Sequence, residues 1–179
     1  TKELVLNISS ALHEIGVKKN DKISIIADNS YKWCAVDLAT ISLGAITVPG
    51  YTTSNEEEIS YLLSHSETSI VFVNRKLLSL IIKILPSLNK IKYVICIDDT
   101  NTSKFKKFNI GFYTFNNLLN LGSKSDVKSK IIERFVSKID DNDVVSIIYT
   151  SGTSNKPKGV MLTHKSIISN IVGANELVS

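Results

Sequence analysis

Apolar residues recur along the chain at two spacings, and the alternation between them predicts the fold. From Glu3 to Ile15 they fall at Leu4, Ile8, Leu12 and Ile15, one face of a helix, and Gly16 is a natural stop. Lys22–Ala27 is short, β-branched and bounded by Asp21 and Asp28, the pattern of a strand. Ser30 is placed to cap a helix that runs to Leu43 and closes at Gly44. Ala45–Pro49 reads as a second buried strand, ended by its proline. Ser54 and Glu57 have capping-box spacing for a helix to Ser66, and Ser69–Val73 follows as a third strand. An apolar helix over Lys76–Leu85 stops at Pro86, and Tyr93–Ile97 is a further strand ending at Asp98 and Asp99.

The pattern loosens between Thr100 and Lys124, where Asn101, Thr102, Ser103 and several lysines suggest a surface insertion holding a short Phe112–Phe115 strand and a small helix. Ser125–Lys138 reads as helix, Asp140–Asp143 as a polar break, and Val144–Thr150 as the most apolar strand of the second half. Strands and helices therefore alternate, with apolar runs suited to burial on both faces. The expected fold class is α/β, a mostly parallel sheet flanked by helices. No repeat of fixed period is present, which argues against solenoids and propellers.

Composition adds limits rather than a function. A chain of 179 residues, 43% apolar and 21% charged, can bury one substantial core and is not disordered. The net charge of +4 comes almost wholly from lysines spread over many segments, and no basic stripe marks a nucleic-acid partner. Cys34 and Cys96 lie in apolar stretches without metal-ligand spacing. They read as buried reduced thiols of an intracellular protein, cytoplasmic or peripherally associated with a membrane. No apolar run approaches the ~18 residues that cross a bilayer. The Leu77–Leu85 helix has the choice of a membrane surface or the sheet, and covering the sheet is favoured. Because Thr1 is not an initiator methionine and the Lys165–Val178 segment lacks a stop signal, the chain reads as a fragment of a longer polypeptide.

Chemistry concentrates after the Val144–Thr150 strand, in Tyr-Thr-Ser-Gly-Thr-Ser-Asn-Lys-Pro-Lys-Gly-Val from Tyr149 to Val160. Glycine lets several backbone N–H groups converge, hydroxyls donate to phosphate oxygens, and lysine adds a point charge. The run contains no carboxylate that would repel such a ligand. The Walker A pattern fails, since Gly152 and Gly159 are seven apart and no Gly-Lys-Ser/Thr occurs. Pro157 opposes a helical Lys156, so the loop leads into a strand, Val160–Thr163, before Thr163 caps a helix from His164. His13, His65 and His164 have no metal spacing and read as packed or capping residues, with His164 the one nearest the loop in sequence. Glu56, Glu57 and Glu58 suit the dipole of a helix start, and Trp33 reads as core.

The Tyr149–His164 segment closely resembles the signature loop of adenylate-forming enzymes, the family of acyl-CoA synthetases, peptide-synthetase adenylation domains and luciferases. It departs from that family's Ser-Gly-Thr-Thr-Gly-x-Pro-Lys-Gly at Ser154, which keeps the hydroxyl, and at Asn155, which tolerates a left-handed backbone. Ile26-Ala-Asp-Asn29 with Trp33, Leu43–Pro49 with Tyr51, and Glu58–Ser66 resemble segments of the long-chain acyl-CoA synthetase branch. The resemblance implies part of the large N-terminal domain of such an enzyme, over 1–179, with 100–124 inserted in it. It also implies ATP and magnesium as cofactors, CoA as co-substrate and a fatty acid as the acid activated. Thr150, Ser151, Gly152, Thr153, Ser154 and Asn155 would then bind the β- and γ-phosphates, with Gly152 and Gly159 permitting the turn and Lys158 adding charge. The family's adenine segment, ribose-binding aspartate and catalytic lysine come later than Ser179, so no catalytic residue is assigned here. The isolated fragment is expected to be inactive without the remainder of its polypeptide. Adenylation of another carboxylic acid, or a non-catalytic nucleotide-binding module on the same fold, are the alternatives.

Overall fold

A computed structural model describes residues 2–98, 100, 108–150 and 157–178. They form one seven-stranded sheet of β1 (Lys22–Ile26), β2 (Ile46–Pro49), β3 (Ile70–Val73), β4 (Tyr93–Cys96), β5 (Gly111–Thr114), β6 (Val144–Thr150) and β7 (Lys158–Thr163). The helices are α1 (Lys2–Glu14), α2 (Tyr31–Ser42), α3 (Glu56–His65), α4 (Leu78–Ile84), α5 (Phe115–Ser123), α6 (Ile131–Arg134) and α7 (His164–Val178). The strand order is β5-β4-β3-β1-β2-β6-β7, parallel throughout except for the antiparallel β6–β7 pair.

The strands are apolar on both faces because both are covered. Ile23, Ile25, Ile70, Phe72 and Ile95 join α1, α2 and α5 in one core, through Ile8, Leu12, Val36, Ala39 and Leu118. The intervening Ile26, Val71, Val73, Val94 and Cys96 meet α3 and α4 on the other side. The period-2 alternation of each strand thus assigns its residues to two cores at once. Leu77, Leu78, Ile81 and Ile84 are buried in the second core, so the α4 segment covers the sheet. No helix among the described residues is long and apolar enough to cross a membrane.

Local caps explain the helix starts. Ser30 Oγ accepts from the Trp33 amide at 3.2 Å. The capping box of α3 lies one residue later than its expected Ser54–Glu57 position. Asn55 takes the extended cap conformation, its side chain accepts from the Glu58 amide at 2.9 Å, and Glu58 accepts from the Asn55 amide at 2.9 Å. Thr163 Oγ1 accepts from the Ser166 amide, and Ser166 Oγ from that of Thr163.

Three expectations change. The 100–124 segment is no surface insertion in its described part, because Gly111–Thr114 is the edge strand β5 and α5 places Phe115 and Leu118 in the core. Its helix packs so closely that a Cβ on Gly122 would lie 1.7 Å from the Asn7 carbonyl oxygen. Cys34 is exposed, since α2 turns Ala35, Val36 and Ala39 inward instead; Cys96 is buried as expected. Ser125–Lys138 is not one helix but α6 between two short 3-10 turns.

Candidate functional site

The order of the strands makes a crevice. β1 lies between β2 and β3, and its following helix α2 packs on one face while α3, which follows β2, packs on the other. The two strand-to-helix loops therefore separate at the carboxyl ends of β1 and β2, the topological switch point where open α/β sheets bind ligands. A cavity of about 400 Å³ opens there, lined by Asp28, Trp33, Gly50, Tyr51, Thr52 and Tyr149. Its polar wall is fixed. Lys76 Nζ donates to both Asp28 oxygens at 2.9 Å and Thr52 Oγ1 to one at 3.0 Å, which holds the Asp28 carboxyl below its ordinary range. Trp33, read as core, is half-buried and forms part of this wall as well.

β6 runs alongside and overshoots. Its pairing with β2 is confined to Thr47–Ser146, while β7 follows it to its tip, pairing Tyr149 with Gly159 and Thr150 with Lys158. The two limbs of the hairpin thus run beyond the point where β2 pairs with β6. Of the expected phosphate-binding residues, Thr150 ends β6, and Lys158 and Gly159 begin β7. Ser151, Gly152, Thr153, Ser154 and Asn155 lie outside the described residues. Thr150 and Lys158 are exposed, and no ion pair engages Lys158 among the described residues.

Gly159 is not a turn residue. Positive φ among the described glycines occurs at Gly16 and Gly44, and Gly159 lies within a strand. What it supplies is space: a Cβ there would come within 2.8 Å of Ile147 Cγ2 and 3.3 Å of the Tyr149 ring. The ring of Tyr149 consequently lies over the glycine and reaches α3.

On α3 the apolar pair Ile59 and Leu63 faces the sheet, which turns Tyr61 and His65 together toward β6. Their rings stack at 5.1 Å, and Tyr149 meets both edge-on. His65 Nδ1 and Tyr149 Oη are 2.7 Å apart in a hydrogen bond, and Tyr61 Oη donates to the Pro157 carbonyl at 3.1 Å. Burial, with Tyr61 adding to it, pushes the Tyr149 phenol up, so it stays a neutral hydroxyl. Sequence reasoning missed this cluster. Its one signal was the four-residue spacing of Tyr61 and His65 beside an apolar stripe. His164, by contrast, is near the loop only in sequence. β7 carries the chain away from the loop, and Thr163 pairs with Val144 at the other end of β6.

Farther from the loop, burial pushes the Asp37 carboxyl up, with partial relief from Thr47. The buried Thr47 hydroxyl is unpartnered by strict hydrogen-bond geometry, so that relief is weak. Among the described residues no three His, Cys, Asp or Glu side chains gather to hold a metal.

A switch-point crevice beside a hairpin whose sequence is rich in glycine, hydroxyls and lysine is carried by a sheet of the α/β class. A model of the AMP-binding enzyme family matches residues 1–178, and the chain belongs to that family. It is 30% identical over 173 residues to fatty acyl-CoA synthetase A of Dictyostelium discoideum, covering 94% of this chain and 25% of that protein. With long chain acyl-CoA synthetase 4 of Arabidopsis thaliana it shares 31% identity, over 98% of this chain and 26% of that protein. The chain therefore spans about a quarter of the curated relatives it matches. The fold is that of the carboxylic acid reductase A-PCP didomain from Segniliparus rugosus, solved with AMP, at a TM-score of 0.78 and 17% identity over 93% of this chain and 25% of that one.

Proposed function

We propose that this chain is part of a longer enzyme that activates a long-chain fatty acid with ATP and transfers it to CoA. The observation that carries the reading is the Tyr149–Val160 sequence, whose described ends form the tips of β6 and β7 beside the crevice. In the adenylation step, the acid's carboxylate oxygen attacks the α-phosphorus of ATP and pyrophosphate leaves with the bonding electrons. CoA thiolate then attacks the acyl carbon and expels AMP. Support for a fatty acid, and for CoA as acceptor, comes from the curated relatives named above.

The residues of this chain bind and position rather than transfer protons. Thr150, Ser151, Thr153 and Ser154 would donate hydroxyl and backbone hydrogen bonds to the β- and γ-phosphates, with Gly152 and Asn155 in the same phosphate-binding run. Lys158 adds positive charge from the base of β7. Among the described residues no three carboxylate, histidine or cysteine side chains gather for a metal, and magnesium would accompany the triphosphate, offsetting its negative charge. The test is ATP–pyrophosphate exchange by the full-length protein with a panel of carboxylic acids. Exchange that needs a long-chain fatty acid and collapses in Gly152→Val and Lys158→Ala supports the reading. Exchange with another acid replaces the substrate, and none with any acid from folded protein leaves a non-catalytic nucleotide-binding module.

A further inference from the structure

We propose that Tyr61 and His65 of α3 are positioning residues that hold the two ends of the glycine-rich loop at a set separation, and through it tune the grip on the nucleotide's phosphates. The inference rests on the adenylation reading. Each residue takes one limb of the hairpin: His65 bonds Tyr149, two residues before the loop leaves β6, and Tyr61 bonds Pro157, where the chain returns. The limbs need outside support because the sheet stops short of them. β2 holds β6 at Thr47–Ser146, and Ile148 to Thr150 extend beyond that point with β7 as their strand partner.

The support is itself rigid. The capping box fixes the start of α3, and Ile59 and Leu63, at 2% and 1% exposure, prevent the helix from rolling. Because Tyr61 and His65 are one helical turn apart and stacked on each other, neither can shift without moving its neighbour. Gly159 completes the device by leaving room for the Tyr149 ring to reach His65. Neither α3 residue needs to touch substrate, so the effect should appear in nucleotide binding rather than acid binding.

The experiment uses the full-length protein and the variants Tyr61→Phe, His65→Ala and His65→Asn. Asparagine presents a polar atom near the position of Nδ1 and serves as the conservative rescue. Two quantities are read: KM for ATP against KM for the acid, and amide hydrogen exchange in peptides carrying Tyr149–Thr150 and Lys158–Gly159. Loss of either bond is expected to raise KM for ATP about five- to tenfold, the scale of one hydrogen bond. Acid KM should stay unchanged, exchange on the affected limb should quicken, and His65→Asn should recover part of the loss. An unchanged KM for ATP in Tyr61→Phe and in His65→Ala overturns the proposal. So does a parallel rise of both KM values with a lower midpoint, which marks a merely structural role. If the wild-type protein activates no acid, the functional reading fails separately; hydrogen exchange then decides alone, and equal exchange in wild type and variants overturns the bracing.

Discussion

Replacing Gly159 by alanine would put a methyl group 2.8 Å from Ile147 Cγ2 and 3.3 Å from Tyr149 Cζ. Ile147 is β-branched and stiff at χ1, so the 2.8 Å contact is relieved by a shift of the β6–β7 backbone, which carries the Tyr149 ring with it. Overpacking of this kind costs about 1–3 kcal/mol. Displacing the ring also forfeits its bond to His65, about 1 kcal/mol, while alanine's smaller backbone entropy returns about 0.5–1 kcal/mol. The net is about 1–3 kcal/mol of folding stability, and the forfeited His65 bond alone, about 1 kcal/mol, is about fivefold in kcat/KM for ATP. Steady-state kinetics of acyl-CoA formation by the full-length protein would read it. Asparagine separates the two explanations of the glycine. If a left-handed turn were the need, Gly159→Asn would outperform Gly159→Ala; crowding predicts the reverse. Ile147→Ala, which removes the nearest methyl, should partly rescue Gly159→Ala. Wild-type kinetics in the alanine variant, or asparagine outperforming alanine, would refute the reasoning.

Three other predictions concern stability. Gly122→Ala drives a Cβ into the Asn7 carbonyl, a backbone atom that cannot step aside, so α1 and α5 must separate at a cost of about 3 kcal/mol or more. Gly173→Ala meets nothing within 4 Å in α7 and should stabilise by about 0.5–1 kcal/mol, so thermal unfolding should move in opposite directions for the same substitution. Burial raises the Asp37 carboxyl above its unfolded value, so folding takes up a proton. The stabilising contribution of the protonated form is present at low pH and lost as pH rises from about 4 through the folded value, so Asp37→Asn should raise the thermal midpoint more at pH 8 than at pH 4. A constant difference across that range would contradict it.

Much of the sheet was legible because each strand carries a short apolar run between polar or glycine breaks. Val144–Thr150 was located to the residue, and Ser30 and Thr163 act as the caps their positions suggested. What local pattern could not supply was tertiary context. Gly111–Thr114 and α5 follow a polar lysine-rich stretch and looked inserted, yet they complete the sheet edge and the α1 core. Cys34 looked buried in an apolar run until the helical phase of α2 turned it outward. In the site, the loop chemistry was visible as composition, whereas its bracing depends on Tyr61 and His65, 84 or more residues away from their partners. Gly159 resembled a turn glycine because sequence spacing does not reveal the ring that passes over it.

The central claim is that this chain belongs to an enzyme that links a fatty acid's carboxylate oxygen to the α-phosphorus of ATP. Supplying the full-length protein with ATP, CoA and a fatty acid labelled with heavy oxygen in its carboxylate tests that bond directly, by mass spectrometry of the nucleotide product. The account predicts AMP carrying one heavy oxygen, in amounts equal to the acyl-CoA formed. Unlabelled AMP, or ADP with the label in inorganic phosphate, would contradict it.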